Sequence, residues 1–192
     1  MHPVRAFLCL LFSLHVGSAL AATPTVDEPL PPLDIDDRGE LVAAGDDFEF
    51  VPWSSADSPD TVHVIQYFGA KLSHRDLFEP FTDALEEHFE PGAVHVTTLL
   101  NMDAAMWGTS GMVLSELKKN KRRHPQATMV VDEEGTGVEA WDLGEEGTGL
   151  IIIDLRGVVR YFSRQPLDEE EVASTIELVR ELIGEQPVRG EE

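Results

Sequence analysis

The chain has 192 residues, with 14 lysines and arginines against 36 aspartates and glutamates, a formal net charge of −22 at neutral pH. That balance excludes a nucleic-acid partner, because a phosphate backbone is held by clustered basic side chains. One cysteine, Cys9, excludes a disulfide framework within the chain.

The N-terminus reads as an export signal. Arg5 supplies a positive start, residues 6–16 an apolar core and Ala19-Leu20-Ala21 a small-x-small cleavage site. The apolar run is shorter than the roughly 18 residues needed to span a bilayer. Cleavage after Ala21 predicts a periplasmic protein without a transmembrane segment once the signal is removed. It also takes Cys9 away, leaving a mature chain with no thiol and 13 basic residues against 36 acidic ones, since Arg5 is the only charge lost. The acidity reads as a soluble carboxylate surface rather than a cation store, because the acids are spread along the chain.

Residues 22–32 are proline-rich and aperiodic, a flexible leader. Leu33-Asp34-Ile35-Asp36, the turn Asp37-Arg38-Gly39-Glu40 and Leu41-Val42 predict a small N-terminal hairpin. Phe48 to Val51 with Trp53 is a further extended piece. Val62 to Phe68 is a buried strand. Ser73 and Asp76 then form a capping box, Leu72 and Leu77 a staple, and a helix runs through Phe78, Phe81, Leu85 and Phe89 with a kink at Pro80. Val94 to Leu100 is the next strand. Thr109 or Ser110 caps a helix that ends in the basic run Lys118 to His124, before Pro125. Ala127 to Val131 is a strand and Val138 to Leu143 a short amphipathic piece. Gly149–Ile153 and Val158–Phe162 flank the turn Asp154-Leu155-Arg156-Gly157. The final helix has Asp168 and Glu171 as reciprocal caps and a stripe of Val172, Ile176, Val179 and Ile183. Strands alternating with helices predict an α/β domain over 33–184, a central mixed sheet flanked by helices, with a disordered tail at 185–192.

The order of these elements resembles the thioredoxin superfamily near its peroxiredoxin and TlpA-type branch. More closely, the chain resembles the YtfJ family of periplasmic proteins. The residues that carry this likeness are Asp37-Arg38-Gly39-Glu40-Leu41-Val42, Asn101-x-Asp103-Ala104, Gly108-Thr109-Ser110-Gly111-Met112-Val113, Asn120-Lys121, Val130-Val131-Asp132, Ala140-Trp141-x-Leu143 and the Asp154–Gly157 turn. The resemblance implies a thioredoxin-like fold, export to the periplasm and no established activity. It also marks two departures. The redox Cys-x-x-Cys slot is a degenerate one, Ser73 and Asp76, and the proline expected before the late strand is replaced by Thr148-Gly149. Thiol–disulfide exchange needs a thiolate nucleophile, so thiol-disulfide oxidoreductase and peroxiredoxin activity are excluded for the mature chain.

No catalytic set, metal site or cofactor is expected. His63 and His95 sit at similar depth on neighbouring strands without a third ligand, and read as core or edge histidines. The binding candidates are the loop residues Asn101, Asp103, Trp107, Gly108, Thr109, Ser110 and Gly111, which lead into the positive end of a helix, a place suited to an anion. A second set is Lys118, Lys119, Lys121, Arg122 and Arg123, five of the 13 basic residues. The expected function is a binding or interaction module for a periplasmic protein or small ligand. The alternative is a cysteine-independent enzyme acting at Ser73-His74-Arg75-Asp76.

Overall fold

In the computed structural model, residues 21–57, 60–74, 76–106 and 108–184 are described. The expected export signal (apart from Ala21), Ser58, Pro59, Arg75, Trp107 and the expected 185–192 tail therefore lie outside the described residues.

The elements run β1 (Asp34–Ala44), β2 (Asp47–Ser54), β3 (Val62–Gly69), α1 (Glu79–His88), β4 (Val94–Asn101), α2 (Ser110–Arg123), β5 (Thr128–Asp132), α3 (Thr136–Ala140), β6 (Gly149–Ile153), β7 (Val159–Ser163) and α4 (Glu169–Gly184). They build one seven-stranded sheet in the order β2-β1-β5-β4-β3-β6-β7. Strands β3, β4 and β5 are parallel, and β1, β6 and β7 join antiparallel. This is the expected mixed α/β sheet.

Period-two alternation sorts the apolar residues onto two faces. Ile65, Tyr67, Leu99, Val130, Ile151 and Ile153 pack on one face with Trp141 and Leu143. On the other, Val62, Val64 and Ile152 lie under Phe81 and Leu85 of α1 and Ile176 and Val179 of α4. Beside them Leu100, Met129 and Val131 meet Leu117 of α2. β3 is buried along almost its whole length, as a central parallel strand covered on both faces must be.

Four local expectations change. The N-terminal hairpin exists, but its turn is Gly45-Asp46, and Asp37-Arg38-Gly39-Glu40 is a bulge inside β1. Ile35 pairs with Trp53 and Glu40 with Val51, so β1 carries the extra residues. Gly39 takes φ +81°, and a Cβ there would lie 2.0 Å from the Val51 carbonyl oxygen. Gly39→Ala is expected to cost about 1–3 kcal/mol from backbone strain alone, with the clash added; a urea midpoint unchanged from wild type would contradict this role.

The second change concerns Ser73 and Asp76, which do not cap α1. Ser73 lies in a 3₁₀ turn, Leu72–His74, and α1 starts after Phe78 with no side-chain cap. Third, Pro80 sits in the first turn of α1, where its missing N–H has no partner to lose, so no kink is required. Leu72 is 82% exposed and forms no staple. Fourth, the leader is docked rather than flexible. Asp27 N–H donates to the Val159 carbonyl and Val159 N–H to the Glu28 carbonyl, at 2.8 and 2.9 Å. The Trp141 indole N–H donates to the Pro31 carbonyl at 2.9 Å. Proline-rich composition removed the periodicity that would have announced this packing.

The α4 cap is as expected, and of its stripe Ile176 and Val179 are buried, with Thr175 and Leu182 beside them, while Val172 and Ile183 are partly buried. Glu171 N–H donates to Asp168 Oδ1 and Asp168 N–H to Glu171 Oε2, both at 2.9 Å, a reciprocal capping box.

Candidate functional site

Because β3 and β4 are parallel neighbours, their C-terminal ends release two loops at the same pole of the sheet. The first carries the degenerate slot and the second the Asn101–Gly111 candidates. Ala70 N–H donates to the Asn101 carbonyl at 2.8 Å, tying them together. Gly69 keeps them close, since a Cβ there would stand 2.8 Å from the Ala104 Cβ.

At this junction His74 is buried to 6% exposure, and its Nδ1 has no hydrogen-bond partner. Nε2 faces Glu146 Oε2 at 3.6 Å, too long for a hydrogen bond, and Lys71 Nζ is 3.9 Å from the same oxygen. A buried imidazole with an orphan nitrogen is costly to keep; His63 Nδ1 is orphaned too, but inside the sheet, whereas His74 lies where two loops meet. Ser73 and Asp76 are both exposed. Around the pole stand three exposed apolar side chains, Leu72 at 82%, Met106 at 63% and Met112 at 77%.

The loop candidates divide. Asn101 is buried, its Oδ1 accepts the Asp103 N–H at 2.9 Å, and its amide lies against Gly135. It shapes the loop from within. Asp103, Gly108, Ser110 and Gly111 are exposed. Thr109 is the N-cap of α2, but its hydroxyl donates to the Met106 carbonyl at 2.7 Å instead of closing the helix start. Trp107 lies outside the described residues.

The basic run is largely engaged within the domain. Lys121 is buried, donates to the Ala127 carbonyl at 2.6 Å and lies 3.8 Å from Glu40. Burial lowers its pKa and the Glu40 charge works against that. Lys118 bonds Asp47 at 3.1 Å, and the Arg122 guanidinium stands 5.0 Å over the Phe48 ring. These three fasten α2 to the β1–β2 hairpin. Lys119 pairs with Glu116 one turn back, and Arg123 reaches Asn120. Lys119, Arg122 and Arg123 nevertheless remain exposed.

His63 and His95 are direct partners across β3 and β4, with ring centroids 5.1 Å apart. His63 Nε2 meets Thr97 Oγ1 at 2.7 Å and His95 Nε2 meets Thr128 Oγ1 at 3.0 Å. Burial, with His95 adding to it, lowers the His63 pKa to about 3. Among the described residues no three His, Cys, Asp or Glu side chains gather as a metal site.

Sequence reasoning missed His74 as a buried group, and it missed Glu146. Nothing in the spacing announces either, because the two meet only through the fold. It also missed a buried network at the end of β5. Asp132, fully buried, accepts from the Tyr67 hydroxyl at 2.6 Å and from the N–H groups of Gly137 and Thr136 at 2.8 and 2.9 Å. There a readable signal existed: an aspartate closing an apolar strand just before Gly135-Thr136-Gly137 is a helix-start pattern.

Relatives and solved structures agree with this architecture. The Escherichia coli (strain K12) protein called "Uncharacterized protein YtfJ" is 29% identical over 184 residues, 95% of this chain and 98% of its own length. A Haemophilus influenzae uncharacterized protein is 28% identical over 181 residues, 93% and 97% of the two chains. A thiol-disulfide isomerase from Corynebacterium glutamicum overlays with a TM-score of 0.55 at 18% identity, covering 81% of this chain and 97% of that one. At that identity the overlay shows the fold alone, which is thioredoxin-like. The model of a bacterial protein family of unknown function, YtfJ_HI0045, matches residues 25–182, so the chain belongs to that family.

Proposed function

We propose that this is a periplasmic binding module, a thioredoxin-like domain that performs no thiol chemistry and meets its partner at the pole around His74. The observation that carries this reading is His74 itself, buried with an orphan Nδ1 where the β3 and β4 loops meet. Export is supported by the signal pattern ending at Ala21, and the loss of thiol chemistry by a sequence whose single cysteine precedes that point. The exposed Leu72, Met106 and Met112 supply apolar contact area of the adaptable kind that recognition surfaces use. In the basic run of α2, by contrast, Lys118, Lys121 and Arg122 are engaged with groups of the domain itself.

The enzyme reading has one observation in its favour, the carboxylate of Glu146 facing the His74 ring. It lacks a nucleophile on that ring, since Nδ1 has no partner and Ser73 does not bond to it.

The test is co-purification from periplasmic extract with three baits: the mature chain, Leu72→Asp with Met106→Asp, and Lys118→Glu with Arg123→Glu. A partner held by the first and third and lost by the second is the expected result. All four positions are outside the core, so melting temperatures should stay within a few degrees. Loss with the α2 variant alone would move the surface to α2, and no partner with the mature chain would sink the reading for stable complexes.

A further inference from the structure

A groove of about 520 Å³ opens at the opposite pole, where the last turns of α1 and α2 flank the first residues of β4. Helices antiparallel to the strands they cover place both C-termini at this end. The volume falls within the roughly 300–1,000 Å³ of small-molecule sites.

The floor is apolar, formed by Leu85, Val94 and Val96 with Phe89 beside them. The two walls carry opposite charges. Glu86 and Glu90 come from α1 and the residues just after it, and Arg123 and His124 from the end of α2. One contact crosses between them, His124 Nδ1 to Glu86 Oε1 at 3.4 Å. Both partners are more than half exposed, and such a contact, an ion pair only when the ring is protonated, holds little free energy. A ligand presenting a full charge to each side chain displaces it at small cost.

A negative wall, an apolar floor and a positive wall in sequence complement a zwitterion with an apolar middle. We propose that this groove binds a short zwitterionic peptide, about two residues long, with apolar side chains. Its ammonium group sits against Glu86 and Glu90, its carboxylate against Arg123 and His124, and its side chains on Leu85, Val94 and Val96. The polarity of binding has a further cause. The last-turn carbonyls of α1 carry partial negative charge and favour the ammonium end there. The C-terminus of α2 opposes a carboxylate for the same reason, which makes the Arg123 guanidinium necessary on that wall. This site is separate from the His74 pole, so either can fail alone.

The experiment is titration calorimetry of the mature chain with leucyl-phenylalanine, its N-acetyl form and its C-terminal amide. The free dipeptide should bind, and each blocked form should bind at least about tenfold more weakly, the equivalent of one lost charge contact of 1.4 kcal/mol. Glu86→Gln with Glu90→Gln should erase discrimination against the acetylated form while keeping that against the amide. Arg123→Gln should do the reverse. These side chains are exposed, so folding is preserved and a matching melting curve confirms it. No heat from the free dipeptide at millimolar concentration, equal binding of the blocked forms, or variants that weaken all three ligands alike would each overturn the proposal.

Discussion

Asp132→Ala is expected to destabilise the domain by about 3–5 kcal/mol, the range for breaking a buried charged hydrogen-bond set. The carboxylate is fully buried and holds three donors, the Tyr67 hydroxyl and the Thr136 and Gly137 N–H groups. Alanine leaves all three without an acceptor in a dry interior, at roughly 1–3 kcal/mol for each donor that finds no substitute. Helix α3 has five residues and cannot persist on propensity, so its start depends on this carboxylate. Tyr67 is kept a hydroxyl donor, because burial first and the Asp132 charge second push its pKa upward. Space around the pair is also fixed: a Cβ on Gly137 would lie 2.4 Å from Tyr67 Cε2. The ordering of variants is the test. Tyr67→Phe removes one donor and leaves Oδ2 bonded to Gly137, so it should cost only about 1 kcal/mol. Asp132→Asn brings a donor to a place where donors already converge and should fall between the two. Urea midpoints in which Asp132→Ala costs no more than Tyr67→Phe would show that the network does not fix this turn.

What the sequence made legible follows from how each feature is encoded. Val62–Phe68 could be read because a strand covered on both faces is a near-continuous apolar run, and the Ile176–Val179 stripe because burial on one face of a helix imposes a period. The α4 cap was legible because Asp168 and Glu171 make their bonds within one turn. The β1 bulge was not. Asp37-Arg38-Gly39-Glu40 has the composition of a turn, and only the register of β2 shows that Gly39 bends a continuing strand. The same limit hid the site. His74, Glu146 and Ala104 are far apart in the chain, and their meeting depends on two parallel strands ending at one level. The internal contacts of the basic run were equally illegible: Lys118 and Arg122, one turn apart, reach Asp47 and Phe48 of β2, and Lys121 reaches the Ala127 carbonyl, partners far away in the sequence or across a turn.

Acid should weaken the fold well before its carboxylates matter, and the His63–His95 pair is the cause. The ordinary pKa of 6.5 falls to about 3 for His63 in the folded chain, through burial and then the neighbouring His95. His95 shifts the same way, through burial and then the Lys121 charge. Unfolded chain therefore binds protons that the folded chain refuses. Stability from this pair is complete above pH 6.5 and drains away as pH falls toward the folded values, at about 1.4 kcal/mol per pH unit for each group still neutral. Asp47, Asp154 and Glu177 have lowered pKa values as well, starting from 3.8, 3.8 and 4.5, so their losses come at lower pH. Between pH 6.5 and 4.5 the loss from His63 and His95 therefore precedes that from these three carboxylates. Relief of acidic self-repulsion on protonation opposes the trend, yet it acts equally on wild type and on a variant differing at one buried site. His63→Leu should accordingly flatten the slope of unfolding free energy against pH in that window by about 1.4 kcal/mol per unit, whatever it does to stability at pH 7. The lost Thr97 contact sets only the height of the variant's curve, because a hydroxyl does not titrate there. Urea titrations at half-unit intervals measure both slopes, and parallel curves for the two proteins would mean that His63 accepts its proton in the folded state.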